Sequence, residues 1–224
     1  MLSVIFASML TVAAEPSAIK FSQRIKQHIL FKDDFESYTI GSFPSASGWE
    51  LWFNGAGDSY QKIVDNTYTS PTKSLQLLGR SGWAAFAALP FETDSPMIGF
   101  QANVKVTEIK GSYTCDARLS FTKRVRAGSS VEYAPVEFMD NGQVVASYEV
   151  MQSYEINKWY KVMLLLNKKT DIYSVWIDDV LVGKNLKIPS TGQKDHLSYE
   201  IEAFSVSQIK NNVIVYFDDV KIFS

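Results

Sequence analysis

Cysteine and histidine are scarce in this sequence. One cysteine, Cys115, and two histidines, His28 and His196, occur among 224 residues. A single cysteine excludes an intramolecular disulfide and a thiolate metal site, so a buried, unreactive thiol is the favoured interpretation. The histidines lie far apart and show no His-x-x-x-His spacing. A zinc site or histidine-based nucleophilic catalysis is therefore not expected.

The sequence also lacks an excess of charge of either sign. Its formal net charge is −2, with 22 Lys and Arg against 24 Asp and Glu. Such a chain has no general basic field, so a nucleic-acid partner is not expected. The one local cationic cluster is TKRVRAG, residues 122–128. We interpret this cluster as a solvated loop.

A long apolar run is missing as well. The longest, Leu2 to Ala14, is shorter than the roughly 20 residues that a membrane-spanning helix needs, but it suits the apolar region of a signal peptide. Residues 1–14 are accordingly predicted to be a signal peptide. Residues 15–30 show a modest helical period and are predicted to be a linker or a short amphipathic helix. We expect the protein to be secreted or at the cell surface, with no stable membrane span.

From residue 31 onward the hydrophobic period is two. Runs rich in β-branched and aromatic residues, such as Met97–Val106, Trp159–Leu166 and Ile172–Ile177, are bounded by Gly, Pro, Asn and Asp. No long helical segment separates them. The pattern predicts one all-β domain over residues 31–224, an antiparallel two-sheet jelly-roll sandwich that follows a short N-terminal helical or apolar extension.

Two dipeptides in this region predict tight turns. Asn141-Gly142, in FMDNGQVVASY, is the strongest short hairpin signal and is flanked by strand residues. Asp178-Asp179, in VWIDDVLVG, lies between two strand-like runs in the same way. Asp tolerates the backbone of such turns and caps its own amides, so this Asp-Asp pair is predicted to be a turn and not a site.

Several stretches resemble the concanavalin A-like, laminin G-like jelly-roll superfamily. They are DDFESYTIGSFPSASGWELWFNG near the start, NKWYKVMLLLNKKTDIYSVWIDDVLVG, and the final VYFDDVKIF. The resemblance covers roughly residues 31–224. It implies the sandwich fold and, as a tendency, exported proteins that act on or bind glycans. Members include carbohydrate-binding modules, glycoside hydrolases and polysaccharide lyases, so function must be argued from a site.

The other two Asp-Asp pairs lie in the first and last strands. By strand parity Asp33 points the same way as its apolar neighbours, and Asp218 points the same way as Val220 and Ile222. If these strands pair, two carboxylates approach one edge of the core, and burial without partners would cost several kcal/mol each. Three partners are open: a structural Ca²⁺, backbone amides in a bulge, or a basic side chain such as Lys32 or Arg118. Asp33 and Asp218 are therefore candidate metal ligands.

Catalytic candidates are weak. In YEIEAF, Glu200 and Glu202 lie on one face of a strand-like run about 7 Å apart by strand rise. That spacing is near the one that glycosidases with paired carboxylates use. It distantly resembles the acidic strand motif of the laminarinase-type hydrolases, but the third acid of that motif is missing. Two solvent-facing glutamates are the favoured interpretation.

Ligand binding has better support. GWELWFNGAGDSYQ and, some twenty residues on, GRSGW bring aromatic and polar residues into a loop-rich stretch. Sugar rings stack on exposed aromatic faces while amides and carboxylates fix the hydroxyls. The candidate ligand-binding residues are Trp52, Asn54, Tyr60, Arg80 and Trp83.

These observations favour a non-catalytic extracellular glycan-binding module with a carbohydrate as its partner. Two alternatives stay open. The first is a surface or assembly protein that uses the jelly roll as a scaffold, with the N-terminal segment docking onto a neighbour by strand addition. The second is a divergent glycoside hydrolase or polysaccharide lyase.

Overall fold

The protein is an antiparallel β-sandwich in a computed structural model that describes residues 27–111, 114–126, 129–189, 201–208 and 212–224. This confirms the predicted all-β class. Two short 3₁₀ turns, Ser45–Ser47 and Asp58–Tyr60, lie between strands. The described strands are β1 (Ile29–Asp33), β2 (Glu50–Asn54), β3 (Lys62–Val64), β4 (Ser74–Leu78), β5 (Ala85–Pro90), β6 (Met97–Val106), β7 (Cys115–Arg126), β8 (Ser129–Met139), β9 (Gln143–Ala146), β10 (Glu149–Ser153), β11 (Tyr160–Asn167), β12 (Ile172–Ile177), β13 (Val180–Lys187), β14 (Ala203–Gln208) and β15 (Ile214–Phe223).

The strands form two sheets. Sheet A has the order β13-β12-β11-β6-β15-β4-β3, with β1 also pairing with β15. Sheet B has the order β10-β9-β8-β7-β14-β5-β2. Every pairing between these strands is antiparallel. Sheet A ends at β3 and sheet B ends at β2, so the segment between these two strands crosses from one sheet to the other.

Alternating residues of both sheets fill the core. Leu164 on β11 and Phe100 on β6 point inward from sheet A, while Leu119 and Phe121 on β7 point inward from sheet B, and all four are fully buried. Full burial of such a side chain contributes about 1.5–3 kcal/mol. The period-two pattern read from the sequence is therefore the pattern of core-facing positions.

Both predicted turns are present. Asp178 and Asp179 connect β12 and β13 with left-handed φ angles of 51° and 67°, which is the backbone of a type I′ turn. Between β8 and β9 the loop has three residues and places Gly142 at φ 80°. The hairpin prediction at Asn141-Gly142 is thus confirmed, with a loop one residue longer than the two-residue turn that the dipeptide most often forms.

Two boundaries differ from the sequence-based expectation. β1 begins at Ile29, which pairs with Phe223 of the last strand, whereas the predicted linker ran to residue 30. The predicted signal peptide and the rest of that linker lie outside the described residues, apart from residues 27 and 28. The cationic cluster was predicted to be a loop, and this was wrong: Thr122 to Arg126 continue β7, because they pair with β8.

A bulge in β15 overturns the predicted parity of Asp218. Between Asp218 and Lys221 this strand carries one residue more than β6, and Asp219 takes a φ of 49°. Phe217 and Val220 therefore both face the core, and Asp218 lies on the outer face with its partner Asn103. Counting by twos fails here because a bulge adds one residue to the strand.

Cys115 lies in β7 and is buried. Burial raises the pKa of its thiol well above the usual range. The expectation of a buried thiol is confirmed. No helix of the described residues has the length and apolar character needed to cross a membrane.

Candidate functional site

Four of the five predicted ligand-binding residues meet at one corner of the sandwich. Asn54 ends β2, Tyr60 lies in the 3₁₀ turn that follows, and Arg80 and Trp83 form the two-residue hairpin between β4 and β5. We call Asn54, Asp58, Tyr60, Arg80 and Trp83 the aromatic site. Trp83 is 37% exposed and Tyr60 is 48% exposed, so part of each ring is open to a ligand.

Side-chain hydrogen bonds order the aromatic site. The indole Nε1 of Trp83 donates to Asn54 Oδ1 at 3.1 Å, and Asn54 Nδ2 donates to Asp58 Oδ1 at 2.9 Å. The Trp83 ring also contacts Phe53 at right angles, with ring centroids 5.6 Å apart. Trp83 is thus held in one orientation by a polar contact and an aromatic one. Arg80 is exposed and forms no ion pair with a described residue.

Two residues that the sequence analysis did not select hold the backbone beneath this site. The buried amide of Gln61 donates to the carbonyls of Asn54 and Leu78, both at 2.9 Å, and accepts from Leu78 N–H at 2.8 Å. Gly55 has a φ of 50°, and a Cβ there would lie 2.2 Å from the Leu78 carbonyl oxygen. Only glycine fits at this position, so the backbone of the site is fixed before any ligand arrives.

Trp52, the fifth predicted residue, belongs to an adjoining cluster on the outer face of sheet B. Its ring stacks on Phe86 at 5.7 Å with an interplanar angle of 2°, and Arg124 lies over it at 5.6 Å. Its Nε1 donates to Glu50 at 2.7 Å. Phe86 in turn contacts Phe53, which contacts Trp83. Trp52 and Trp83 are therefore the two ends of one aromatic strip. Trp52 itself lies in a strand, β2, while most of the surrounding stretch 48–61 consists of turns, as predicted.

Asp33, a candidate metal ligand, is buried against the core. Its Oδ1 accepts from Phe35 N–H at 2.9 Å, and its Oδ2 accepts from Tyr38 OH at 2.5 Å and from Trp49 Nε1 at 3.0 Å. The predicted inward direction of Asp33 is confirmed. Burial and the Asp33 carboxylate raise the pKa of Tyr38 above its usual range, so this tyrosine remains a hydrogen-bond donor.

Asp218, the other candidate ligand, anchors the loop between β3 and β4. Its Oδ2 accepts from the backbone N–H groups of Thr69 and Ser70 at 2.7 and 2.9 Å. Its Oδ1 accepts from the Ser70 hydroxyl and from Asp219 N–H, both at 2.8 Å. The residue is fully buried. Of the three partners expected from sequence, backbone amides are the ones found: two come from the loop and one from the bulge, and the hydroxyls of Ser70 and Thr69 also donate.

These donor sets do not suit a cation at the same oxygens, because each carboxylate oxygen already faces N–H or O–H groups. Within the described ranges, His, Cys, Asp and Glu side chains form no group of three or more that could hold a metal ion. Arg118 lies in sheet B and pairs with Glu137, not with either aspartate. The structural Ca²⁺ stays a prediction.

Of the catalytic candidates, Glu200 lies outside the described residues. Glu202 comes directly before β14, is exposed, and accepts a hydrogen bond from Arg124 N–H at 3.3 Å.

Sequence reasoning missed a second polar constellation, on β7 and β8. Arg118 lies between Glu132 and Glu137, five residues apart on β8. Strict alternation would put these glutamates on opposite faces. A bulge at Ala134, with φ 50°, brings both to the outer face. The signal was Pro135, because proline within a strand indicates a bulge or an edge.

No protein-family model matches this chain, and no curated protein matches it. Solved structures do. A sialidase aligns with a TM-score of 0.59 at 12% identity over 88% of this chain, which spans 18% of the sialidase. The cellulose-induced protein Cip1 aligns at 0.52 and 14% over 86% of this chain and 96% of its own. A carbohydrate esterase from Shiga toxin-encoding bacteriophage phi24B aligns at 0.56 and 9% over 88% and 98%. These likenesses show the fold.

Proposed function

We propose that the protein is a non-catalytic, exported glycan-binding module of the concanavalin A-like superfamily, and that the aromatic site binds the glycan. The observation that carries the proposal is Trp83, a partly exposed ring held in place by Asn54 at the edge of a fixed backbone. An exposed tryptophan beside amide, carboxylate and guanidinium groups matches the chemistry of a sugar, which has a C–H face and a rim of hydroxyls.

The arrangement of donors and acceptors supports this ligand class. Asn54 links Trp83 to Asp58, so a hydroxyl that contacts Asp58 lies beside the indole. Arg80 and Tyr60 are exposed and add a guanidinium and a phenol to the same corner. Because Gln61 and Gly55 fix the loops in advance, little conformational entropy is lost on binding.

A non-catalytic role is supported by the charges of the aromatic site itself. It contains a single carboxylate, Asp58, which is already bonded to Asn54. Paired-carboxylate hydrolysis requires two. The names of two of the similar folds, a sialidase and a carbohydrate esterase, support a carbohydrate as the partner, although the chain spans only 18% of the sialidase.

Export is proposed from the apolar stretch Leu2 to Ala14, which precedes the domain. N-terminal sequencing of the protein recovered from the medium of an expressing culture tests it. A start after residue 14 supports export to the medium or the cell surface. Retention of Met1 in a purely intracellular product contradicts it.

Affinity electrophoresis and calorimetry of the full chain with a panel of soluble polysaccharides test the binding function. We expect at least one polysaccharide to retard the protein, and Trp83→Ala to weaken that binding about tenfold, since an aromatic contact contributes roughly 1.5 kcal/mol. Tyr68→Ala is the matched control, because Tyr68 is 44% exposed and lies at the opposite end of β4. The assignment fails if no glycan binds, or if both variants bind like the parent protein.

Two other outcomes of the same experiment would favour the alternatives. Stable multimers that are lost on deletion of residues 1–26, without glycan binding, favour the scaffold role. Release of reducing ends that is lost in Glu200→Gln favours a hydrolase.

A further inference from the structure

A concave pocket lies on the outer face of sheet B, separate from the aromatic site. Its volume is about 160 Å³, and its lining includes Arg118, Glu132, Glu137, Ser147 and Tyr148. We call it the Arg118 pocket. Neither a predicted ligand-binding residue nor a predicted metal ligand is part of it.

The base of the Arg118 pocket carries more negative than positive charge. Arg118 Nε and Nη2 donate to Glu137 Oε1 at 2.8 and 2.5 Å, and Nη1 lies 3.3 Å from Glu132 Oε2. All three side chains are about one-fifth exposed. One guanidinium thus balances two carboxylates, which leaves one net negative charge. Glu137 Oε2 has no hydrogen-bond partner among the described residues.

The negative charge also affects the pKa of the neighbouring Tyr173. Burial raises the pKa of its hydroxyl, and the carboxylates of Glu137 and Glu149 raise it further. Because two carboxylates surround one guanidinium, the Arg118 pocket favours a cation over an anion.

An aromatic ring stands at the rim of the Arg118 pocket. Tyr148 is 79% exposed, more than any other large hydrophobic residue in the described chain. It occupies the turn between β9 and β10 with a φ of 65°, next to Ser147 at 52°. The Ser147 hydroxyl is tied to the Lys187 carbonyl at 2.6 Å, which fixes the turn. A cation that contacts Glu137 can also lie near the face of this ring, where its attraction to the aromatic quadrupole adds to the ion pair.

We propose that the Arg118 pocket is a second glycan subsite that accepts the free ammonium group of an unacetylated amino sugar. The ammonium pairs with Glu137, the sugar ring lies against Tyr148, and ring hydroxyls contact Glu132 and Ser147. This ligand class rests on the proposed function. The pocket itself rests on geometry that is independent of the aromatic site.

Calorimetric titration of the full chain with a glucosamine oligomer and with its fully N-acetylated counterpart tests the proposal. Acetylation removes the positive charge, so we expect the acetylated oligomer to bind at least tenfold more weakly. Glu137→Gln keeps the shape of the side chain and removes its charge, and should weaken binding of the glucosamine oligomer at least tenfold. Glu108→Gln is the matched control, because Glu108 is an exposed glutamate paired with Lys110 elsewhere on the surface. It should bind like the parent protein.

Tyr148→Gly is a second variant that tests the proposal even if Glu137→Gln does not fold. Glycine favours the left-handed backbone at this position, so this variant should fold at least as well as the parent protein. We expect it to lose several-fold in affinity for the glucosamine oligomer.

Three results would overturn the proposal: equal binding of both oligomers, unchanged binding by Tyr148→Gly, or competition by poly-lysine as strong as that by the oligomer. The last would make the pocket a general ammonium site, not a sugar site. Trp83→Ala separates the two proposals, because it should weaken binding at the aromatic site without removing the preference for the glucosamine oligomer over its acetylated counterpart.

Discussion

Single residues show how closely the polar groups of this sandwich are matched to partners. The buried amide of Gln61 bonds to four backbone groups. The carboxylates of Asp33 and Asp218 accept from backbone and side-chain donors. Among buried side chains of the described residues, one oxygen has no hydrogen-bond partner, the hydroxyl of Ser207 on β14. It lies between Phe86 and Arg118 on the outer face of sheet B.

Ser207→Ala should leave the free energy of unfolding unchanged or raise it by about 1 kcal/mol, because an unsatisfied buried hydroxyl is costly to desolvate. Urea denaturation measures the change. Ser74→Ala is the matched control, since the equally buried Ser74 donates to the Thr67 carbonyl at 2.6 Å. It should lose about 1 kcal/mol. An equal loss in both variants would mean that Ser207 has a partner in solution.

Asp219 gives a prediction for pH. Burial raises the pKa of its carboxyl above 3.8, and the charge of Asp218 raises it further. A raised native pKa means that ionisation costs more in the folded state, so this group's contribution to stability falls as pH rises from about 4. Asp219→Asn should therefore gain stability relative to the parent protein as pH rises above about 4, as measured by urea midpoints at each pH.

The side-chain oxygen that remains in Asp219→Asn can still accept the hydrogen bond from Asn103, so the contact is preserved in that variant. The exposed Asp65, as Asp65→Asn, is the control and should show no such trend. A constant offset between Asp219→Asn and the parent across pH would contradict the prediction.

At the scale of elements, the loop between β3 and β4 and the bulge of β15 form one unit. Asp218 binds Thr69 and Ser70 from the bulge, and Asp219 faces Thr69 and Asn103. The sequence correctly placed Asp218-Asp219 in the last strand and Asp178-Asp179 in a turn, whereas the first strand ends at Asp33 and Asp34 lies outside it. It could not predict which face of β15 carries Asp218, because an inserted residue in a bulge cannot be detected from the alternation of polar and apolar residues.

Asp218→Asn should lower the free energy of unfolding by about 3 kcal/mol, since its amide opposes N–H groups and leaves buried donors unpaired. Thermal melts in Ca²⁺ and in chelator measure this change and test the calcium prediction together. A midpoint that is the same in both solutions, for the parent protein as for Asp218→Asn, would contradict the calcium prediction and leave N–H and O–H groups as the partners of Asp218.

Asp179→Asn, in the exposed turn between β12 and β13, is the matched control and should melt like the parent protein. A midpoint that rises with Ca²⁺ in the parent protein but not in Asp218→Asn would instead establish the metal site.

For the whole molecule, the sandwich was predictable because strand periodicity persists through the domain and turn residues mark its ends. The aromatic site was partly predictable, since Asn54 and Trp83 lie in two short polar-aromatic stretches that the fold brings together. The Arg118 pocket was not, because Glu132 and Glu137 share a face only through a bulge. Pairing across distant strands depends on the register of both sheets, which one sequence does not show.

The position of β15 bears on how this chain folds. It is the last described strand, yet it lies inside sheet A, flanked by β6 on one side and by β4 and β1 on the other. Asp218 reaches partners 149 residues earlier. Until β15 has left the ribosome, β4 and β6 each keep one unpaired edge. Their pairing with β15 requires residues that are far apart in the sequence to come together. Such topologies fold slowly and expose strand edges meanwhile, so a cell that makes this protein must shield it from aggregation until its final strand is inserted.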